Sequence, residues 1–412
     1  MNVSIEILLL SLVAVVPAAR AGAAAPPATA ADMRAAVQRS LPYIEKVGTE
    51  WIRERQCNSC HTVTFMVWSH NEAAARGLDV DRAKLAEWTN WSLADSLSDR
   101  RWFKLRPGSI EALKVAGVPD AVLEKLKGLI GKTHLTQAKY DEALKAALGE
   151  EDFIRHRDAL IAQARLPNDG GGPDTLGQLL LGRAEQPEKA GQPGKAAQPD
   201  KAAKPQPYAA VRSLLLEWQQ PDGSWQAAGQ LPSVKWSSPA EMNDATTLWS
   251  VLALSRAGDA NDNANLRRAI QSLKASKPGV TLQSLALHTV VAHDLGDPAR
   301  ATTLAAELLA RQNPDGGWGW TIENKTSEAF STGQALYALG RIGRDGADPA
   351  VERAWKFLVA TQSPDGSWPV PQDAINTRPR KLNVYPYWGT AWSAIGILQT
   401  LPEPRVPSRH PE

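Results

Sequence analysis

The sequence predicts an all-α protein assembled from helix–turn–helix units, on three observations. The segments WQQPDGSW (218–225), RQNPDGGW (311–318) and TQSPDGSW (361–368) share the pattern QxPDGxW. Each closes a stretch whose apolar residues recur every three or four positions, YAAVRSLLLEW, RATTLAAELLA and AVERAWKFLVA. Each is followed by a second apolar helical stretch, ATTLWSVLALSRAG, STGQALYALGRIG or GTAWSAIGILQTL. The repeating unit is therefore helix, Pro-Asp-Gly turn, helix. NLRRAIQSLKA and TLQSLALHTVVAHDLG form one more pair without the turn.

From the N-terminus, residues 1–21 carry an apolar run from Ile7 to Val16, then Pro17 and small residues ending in Ala19-Arg20-Ala21. That run is too short to span a bilayer and reads as a secretory signal. Export to the periplasm or beyond is the expectation, with an uncleaved anchor as its rival; no integral membrane domain is expected. Residues 31–182 form an N-terminal helical region. In it, AAVQRSLPYIEKVGTEWIRERQ leads into CNSCH, and TVTFMVWSHNEAAARG follows. LAEWTNWSLADSL, SIEALKVAGV, AVLEKLKGLI and YDEALKAAL continue the helical spacing. Residues 183–207, with QPEKAG, QPGKAA and QPDKAA, hold no large apolar side chain and read as a solvated linker. The repeat region then runs over 208–402. The two helical parts either close into one body with the linker as an insertion or stand as separate domains.

Turn chemistry accounts for the motif. Pro fixes φ, Asp222, Asp315 and Asp365 accept from the following backbone, and Gly223, Gly316 and Gly366 take positive φ. Trp225, Trp318 and Trp368 then pack over the turn. Of the 15 tryptophans, Trp88, Trp91, Trp249, Trp388 and Trp392 fall on helices where packing explains them. A mouth lined with Trp would take an apolar small molecule.

These QxPDGxW copies with paired helices resemble the QW repeats of the squalene-cyclase and prenyltransferase repeat family, which implies an α/α toroid. Squalene-hopene cyclases carry DxDDTA at the start of an inner helix, and the central Asp protonates the polyene. Here the comparable stretch is EMNDAT: Asn243 replaces the central acid and Asp244 remains. The resemblance also implies two barrels for a cyclase, and this chain is too short for both. Prenyltransferase β subunits bind zinc through Asp, Cys and His, and no cysteine follows Cys60. A carbohydrate-active toroid needs paired carboxylates. Glu241, Asp244, Glu323 and Glu328 all stand near inner-helix starts, where capping explains them. Asp244 and Glu323 are the catalytic candidates.

CNSCH holds both cysteines, Cys57 and Cys60, with His61 next. Two sulfurs three residues apart share a helical face, and the following imidazole reaches iron, so the pattern reads as covalent haem c. His61 is then the proximal ligand and binds the metal. Met66, His70, His134, His156, Met242, His288 and His293 are distal candidates, and a five-coordinate iron is the alternative. A disulfide and a zinc site compete. CNSC also stands where the other units have PDGS, with Gln56 at the motif Gln. Secreted members of the repeat family with a CxSCH motif are similar.

Formal charge is only +2, without a basic aromatic face, so no nucleic-acid groove is expected. The first functional reading is an exported c-type haem protein in electron transfer or sensing, with a redox partner protein. The second is a cyclase-like or polysaccharide-active enzyme with Cys57–Cys60 as a disulfide. The third is a non-catalytic toroid binding a ligand or partner.

Overall fold

The computed structural model describes residues 27–55, 58, 61–98, 103–105, 107–134, 137–164, 172–183, 207–227, 238–256, 264–273, 276–371 and 384–402. The signal segment, Gln56, Cys57, Cys60 and nearly all of the linker lie outside them. Twelve of the described helices form two concentric layers. The inner ones are α2 (Thr62–Ala75), α8 (Pro173–Leu181), α10 (Pro239–Arg256), α12 (Leu282–Asp294), α14 (Ala329–Arg341) and α16 (Tyr385–Thr400). They touch in the cyclic order α2, α8, α10, α12, α14, α16 and back to α2. Outside them lie α1 (Ala30–Arg55), α3 (Arg82–Leu97), α9 (Pro207–Glu217), α11 (Ala264–Leu273), α13 (Pro298–Ala310) and α15 (Pro349–Thr361). Helices from both sides of the linker thus share one ring and one hydrophobic core.

Sequence pattern assigns the layers. TVTFMVWSHNEAAA of α2 and YPYWGTAWSAIGILQT of α16 are apolar or small on every side, and nearly every residue is buried. ANLRRAIQSL of α11 buries only Leu266, Ala269 and Leu273, one stripe at helical spacing. Helices apolar all round go inside, and striped ones cover them.

The repeated turn joins neighbours with the same bonds each time. The indole Nε1 of Trp225, Trp318 and Trp368 donates to the carbonyls of Leu215, Leu308 and Leu358 at 2.7–2.8 Å. Their backbone N–H groups donate to the Thr247, Thr332 and Thr390 hydroxyls of the inner helices. The motif Gln amides bind forward: Gln219 to the Asn265 carbonyl, Gln312 to Ala350 and Gln362 to Ala36. The last of these bonds stitches α15 to α1.

Not all of the N-terminal helical region enters the ring. The helical stretches between 80 and 182 divide: α3 and α8 join the ring, whereas α4 (Pro107–Val115), α5 (Asp120–Leu126), α6 (Gln137–Leu148) and α7 (Glu150–Ala164) do not. These four pack around their own core of Phe103, Leu113, Leu126, Tyr140, Phe153 and Leu160. A two-residue antiparallel ladder, β1 (Phe103–Lys104) with β2 (Thr133–His134), pins their base. The satellite is inserted in the chain between outer α3 and inner α8, and helical spacing alone does not say which core a helix joins.

Candidate functional site

The ends of the inner helices where the chain enters the ring carry the cluster with the most unusual chemistry. His61 caps α2 with φ 57° and ψ 9°, the only positive φ at a non-glycine position among the described residues. Left-handed backbone is strained for a side chain of this size and concentrates at functional positions. Asn58 anchors the approach: its amide donates to the Ser92 carbonyl and the Ser96 hydroxyl of α3, and its N–H donates to Asp95. Asn58 therefore docks on the next outer helix by bonds that the Pro-Asp-Gly turns do not use.

The His61 ring is 6% exposed and sits 5.6 Å from Phe65 and 5.8 Å from Trp388, centroid to centroid. Its Nε2 lies 3.2 Å from Asp174 Oδ2, and its Nδ1 lies 3.4 Å from the Thr175 hydroxyl. Asp174 follows Pro173 at the start of α8 and is 0% exposed. Neither of its oxygens accepts a hydrogen bond from the described residues; the imidazole is within ion-pair reach but is not aligned to donate. A buried oxygen without a donor costs about 1–3 kcal/mol, so this arrangement calls for an occupant or a proton to complete it. Asp174 escapes sequence reasoning, because GGGPDT reads as a turn entering a helix and lies 113 residues from His61.

Behind this pair the ring is filled with aromatic side chains. Phe65 meets Trp392 at 5.6 Å, and Trp392 meets Trp68, Trp249 and Tyr337 at 5.6–5.7 Å. Trp388 continues to Phe330 and Phe330 to Trp320. The Asp174 carboxyl thus adjoins a rim of π faces and apolar walls.

The acids singled out in the sequence have other duties. Asp244 accepts from His288 Nε2 at 2.8 Å and from the Ser276 hydroxyl, and Arg300 approaches His288 Nδ1 at 3.3 Å. This satisfied network braces α10, α12 and α13. Asn243, at the position of the family's central acid, accepts from the Ala227 N–H and fixes the turn to α10. Glu241 accepts from the N–H and hydroxyl of Thr281, the cap of α12. Glu328 caps α14, accepting from Phe330 and Ser331, and burial pushes its carboxyl up to about 7. Glu323 has a 71% exposed side chain and pairs with Arg311, away from all of these.

The haem reading meets this geometry at His61, since Cys57 and Cys60 lie outside the described residues. Iron needs one imidazole nitrogen open to a porphyrin face. Here Nε2 faces Asp174, Nδ1 faces Thr175, and aromatic rings flank the plane, so His61 in this conformation does not fit an axial ligand. His70 bonds the Met66 carbonyl through Nδ1 and abuts Trp88, and burial lowers it to about 4. Met66 packs over Gly48 of α1. His288 is held as above, Met242 is buried in α10, His293 ends α12, His156 belongs to the satellite, and the His134 side chain is outside the described residues.

The outer helices carry a further repeated feature. Arg39, Arg82, Arg212, Arg268, Arg300 and Arg353 each precede Ser or Ala on an outer helix. Arg39, Arg268 and Arg353 donate to the Oε1 of Gln362, Gln219 and Gln312, completing the stitch.

No family model matches this sequence. A drimenyl diphosphate synthase from Streptomyces showdoensis is 40% identical over 105 residues, which is 24% of this chain and 19% of the relative. The chain therefore spans about a fifth of the curated relative it matches. Among solved structures, ent-copalyl diphosphate synthase from Streptomyces platensis is similar over 82% of this chain and 50% of its own, at 16% identity and TM-score 0.42. A glycosidase is similar over 90% of this chain and 98% of its own, at 12% identity and TM-score 0.46. The sequence likeness supports a terpenoid-cyclase-like scaffold.

Proposed function

We propose that the ring is the α/α toroid of a terpenoid-cyclase-like protein in which Asp174, with His61, hands a proton to an apolar polyene. One observation carries this reading: a fully buried carboxyl, both oxygens lacking donors among the described residues, faces an imidazole beside an aromatic rim. In the step, the Asp174 O–H bond breaks, the alkene π pair forms the new C–H bond, and a cation remains on the substrate. Phe65 and Trp388 present ring faces that favour positive charge. The cation then loses a neighbouring C–H proton to water, the C–H pair forming a new alkene, and His61 takes up a proton from water and passes it to the Asp174 carboxylate. The similar drimenyl diphosphate synthase is named for a terpenoid diphosphate, so polyprenyl diphosphates are the first substrates to offer.

The full chain incubated with polyprenyl diphosphates and squalene, with products read by mass spectrometry, tests this. Asp174→Asn is expected to lower product formation about 100-fold or more, the size of a lost general acid. Asp244→Asn is expected to stay within a few-fold. An active Asp174→Asn protein, or wild-type protein that converts none of these polyenes, sinks the reading.

CNSCH carries a second reading, an exported haem c protein serving a redox partner. It requires His61 to leave Asp174. With the cysteines as a disulfide, the first reading stands unchanged.

A further inference from the structure

We propose a second binding site at the opposite end of the ring, where the inner helices finish: an arginine-lined mouth that takes a phosphate-bearing ligand with a short apolar portion. A cavity of about 800 Å³ opens there, within the size range of small-molecule sites. Arg76, Arg183, Arg256, Arg341 and Arg344 line it, against the carboxylates of Glu72 and Asp345. The aromatic filling around Trp68, Trp249 and Trp392 separates it from His61 and Asp174, so neither site depends on the other.

The five guanidinium groups are not equivalent. Arg256 is spent on the scaffold, with two nitrogens on Asp294 at 2.9–3.0 Å and a third on the Tyr337 hydroxyl. Arg344 pairs with Asp348. Arg341 reaches Asp294 only at 3.5 Å, and its buried Nε has no partner. Arg183 donates to the Arg256 carbonyl and Arg76 to that of Leu401. Arginines at helix C-termini ordinarily offset the negative end of the macrodipole. Those bonds serve that purpose, while Arg183 and Arg341 line the cavity with guanidinium groups only partly used by the scaffold.

The acids in the mouth do not absorb this surplus. Glu72 already accepts from Trp68 Nε1 at 3.1 Å and from Gln399 at 2.8 Å, and burial pushes its carboxyl upward. Asp345 accepts from the Ala347 N–H within its own turn. Planar guanidinium forks match phosphate oxygens two at a time. Leu180, Leu181 and Leu401 supply an apolar wall beside them. The Glu72–Trp68 bond links the mouth to the aromatic core, which gives the site an optical reporter.

The test is a titration of the full chain with inorganic pyrophosphate, and separately with hexyl phosphate against inorganic phosphate, followed by calorimetry and tryptophan fluorescence. Saturable single-site binding of pyrophosphate with Kd below about 1 mM is expected. Hexyl phosphate is expected to bind about threefold or more tighter than phosphate, through the apolar wall. Arg183→Gln and Arg341→Gln should each weaken pyrophosphate about tenfold or more, the loss of a charge-assisted fork. Arg183 is exposed, so its variant keeps the test sound if Arg341→Gln unfolds; Arg311→Gln, outside the mouth, should bind as wild type. Absence of saturable binding up to about 10 mM, or unchanged affinity in Arg183→Gln, overturns the proposal.

Discussion

The Gln362 side-chain amide donates to the Ala36 carbonyl at 2.8 Å across 326 positions of sequence, and Arg39 donates back to Gln362 Oε1 at 2.6 Å. Gln219 and Gln312 make the same pair of bonds to their forward neighbours. The last unit therefore meets the first as any unit meets the next. Gln362→Ala is expected to lower unfolding free energy by about 2–3 kcal/mol, since the bonds to the Ala36 and Gly366 carbonyls and the one from Arg39 are lost. Combined with Arg39→Ala, the two effects should fall short of their sum by about 0.5 kcal/mol or more. Urea midpoints decide it, and strict additivity would show that the pair does not form a seam.

Gly366 has φ 84°, and a Cβ there would overlap the Arg39 carbonyl. Gly343 has φ 85° with open space around it. Both alanine variants meet the left-handed backbone penalty of roughly 1–2 kcal/mol. Only Gly366→Ala must also push α1 away, at roughly 1–3 kcal/mol more. Thermal melts of the two proteins should differ accordingly; equal losses would mean that the turn does not touch α1 in solution.

The turns were legible in the sequence because Pro, Asp, Gly and Trp act within eight residues of one another. Ring order was less so. SIEALKVAGV and AVLEKLKGLI carry the spacing of outer helices yet pack in the satellite, because periodicity marks an apolar stripe and not its partner. Arg39 and its five counterparts were visible as Arg-Ser or Arg-Ala pairs, but their meaning depends on a Gln in another unit. Asp174 carried no local signal: its role comes from the fold, which sets it against His61. Asp244 and Glu323 were drawn from the motif and from helix starts, and the fold gives them a brace and a surface ion pair.

Two buried groups make opposite demands on pH. His70 is lowered from 6.5 to about 4 by burial, so the unfolded chain binds its proton first. Its contribution is complete above about pH 6.5 and is lost as pH falls toward 4, at roughly 3 kcal/mol. Glu328 is raised from 4.5 to about 7, so the folded protein holds its proton longer. Its contribution is complete below about pH 4.5 and is lost as pH rises through 7, again roughly 3 kcal/mol. Between those limits the slopes oppose each other in the wild type. His70→Gln should leave stability falling with rising pH, and Glu328→Gln should leave it rising. Denaturation series at about pH 4.5, 5.5 and 6.5 read the slopes directly, and parallel slopes in all three proteins would refute the assignment.

The position of His61 makes a spectroscopic prediction. Protein matured with haem-attachment factors is expected to lack the sharp reduced α band of a six-coordinate, low-spin iron, because Nε2 faces Asp174 and no described distal candidate faces the ring. A reduced-minus-oxidised spectrum beside a Cys57→Ala, Cys60→Ala control measures this. A strong band that survives denaturation and disappears in the control would show that His61 turns away from Asp174 to take the metal.

The pair itself separates function from architecture. A buried ionisable couple that served the fold would be costly to remove, whereas apolar replacement of both partners at similar volume is often neutral or stabilising by about 1–4 kcal/mol. Asp174 lacks the hydrogen bonds that would offset its burial, so the second outcome is expected here. His61→Phe with Asp174→Leu should therefore melt at or above the wild-type temperature while losing polyene turnover. Asp174→Leu alone tests the direction, since it removes the two orphaned oxygens and leaves the imidazole beside Thr175. Stability given up for a working site is the pattern of a strained active centre. A double variant that melts several degrees lower would instead make the pair a structural clasp between α2 and α8, and the proton donor would have to be sought elsewhere on the rim.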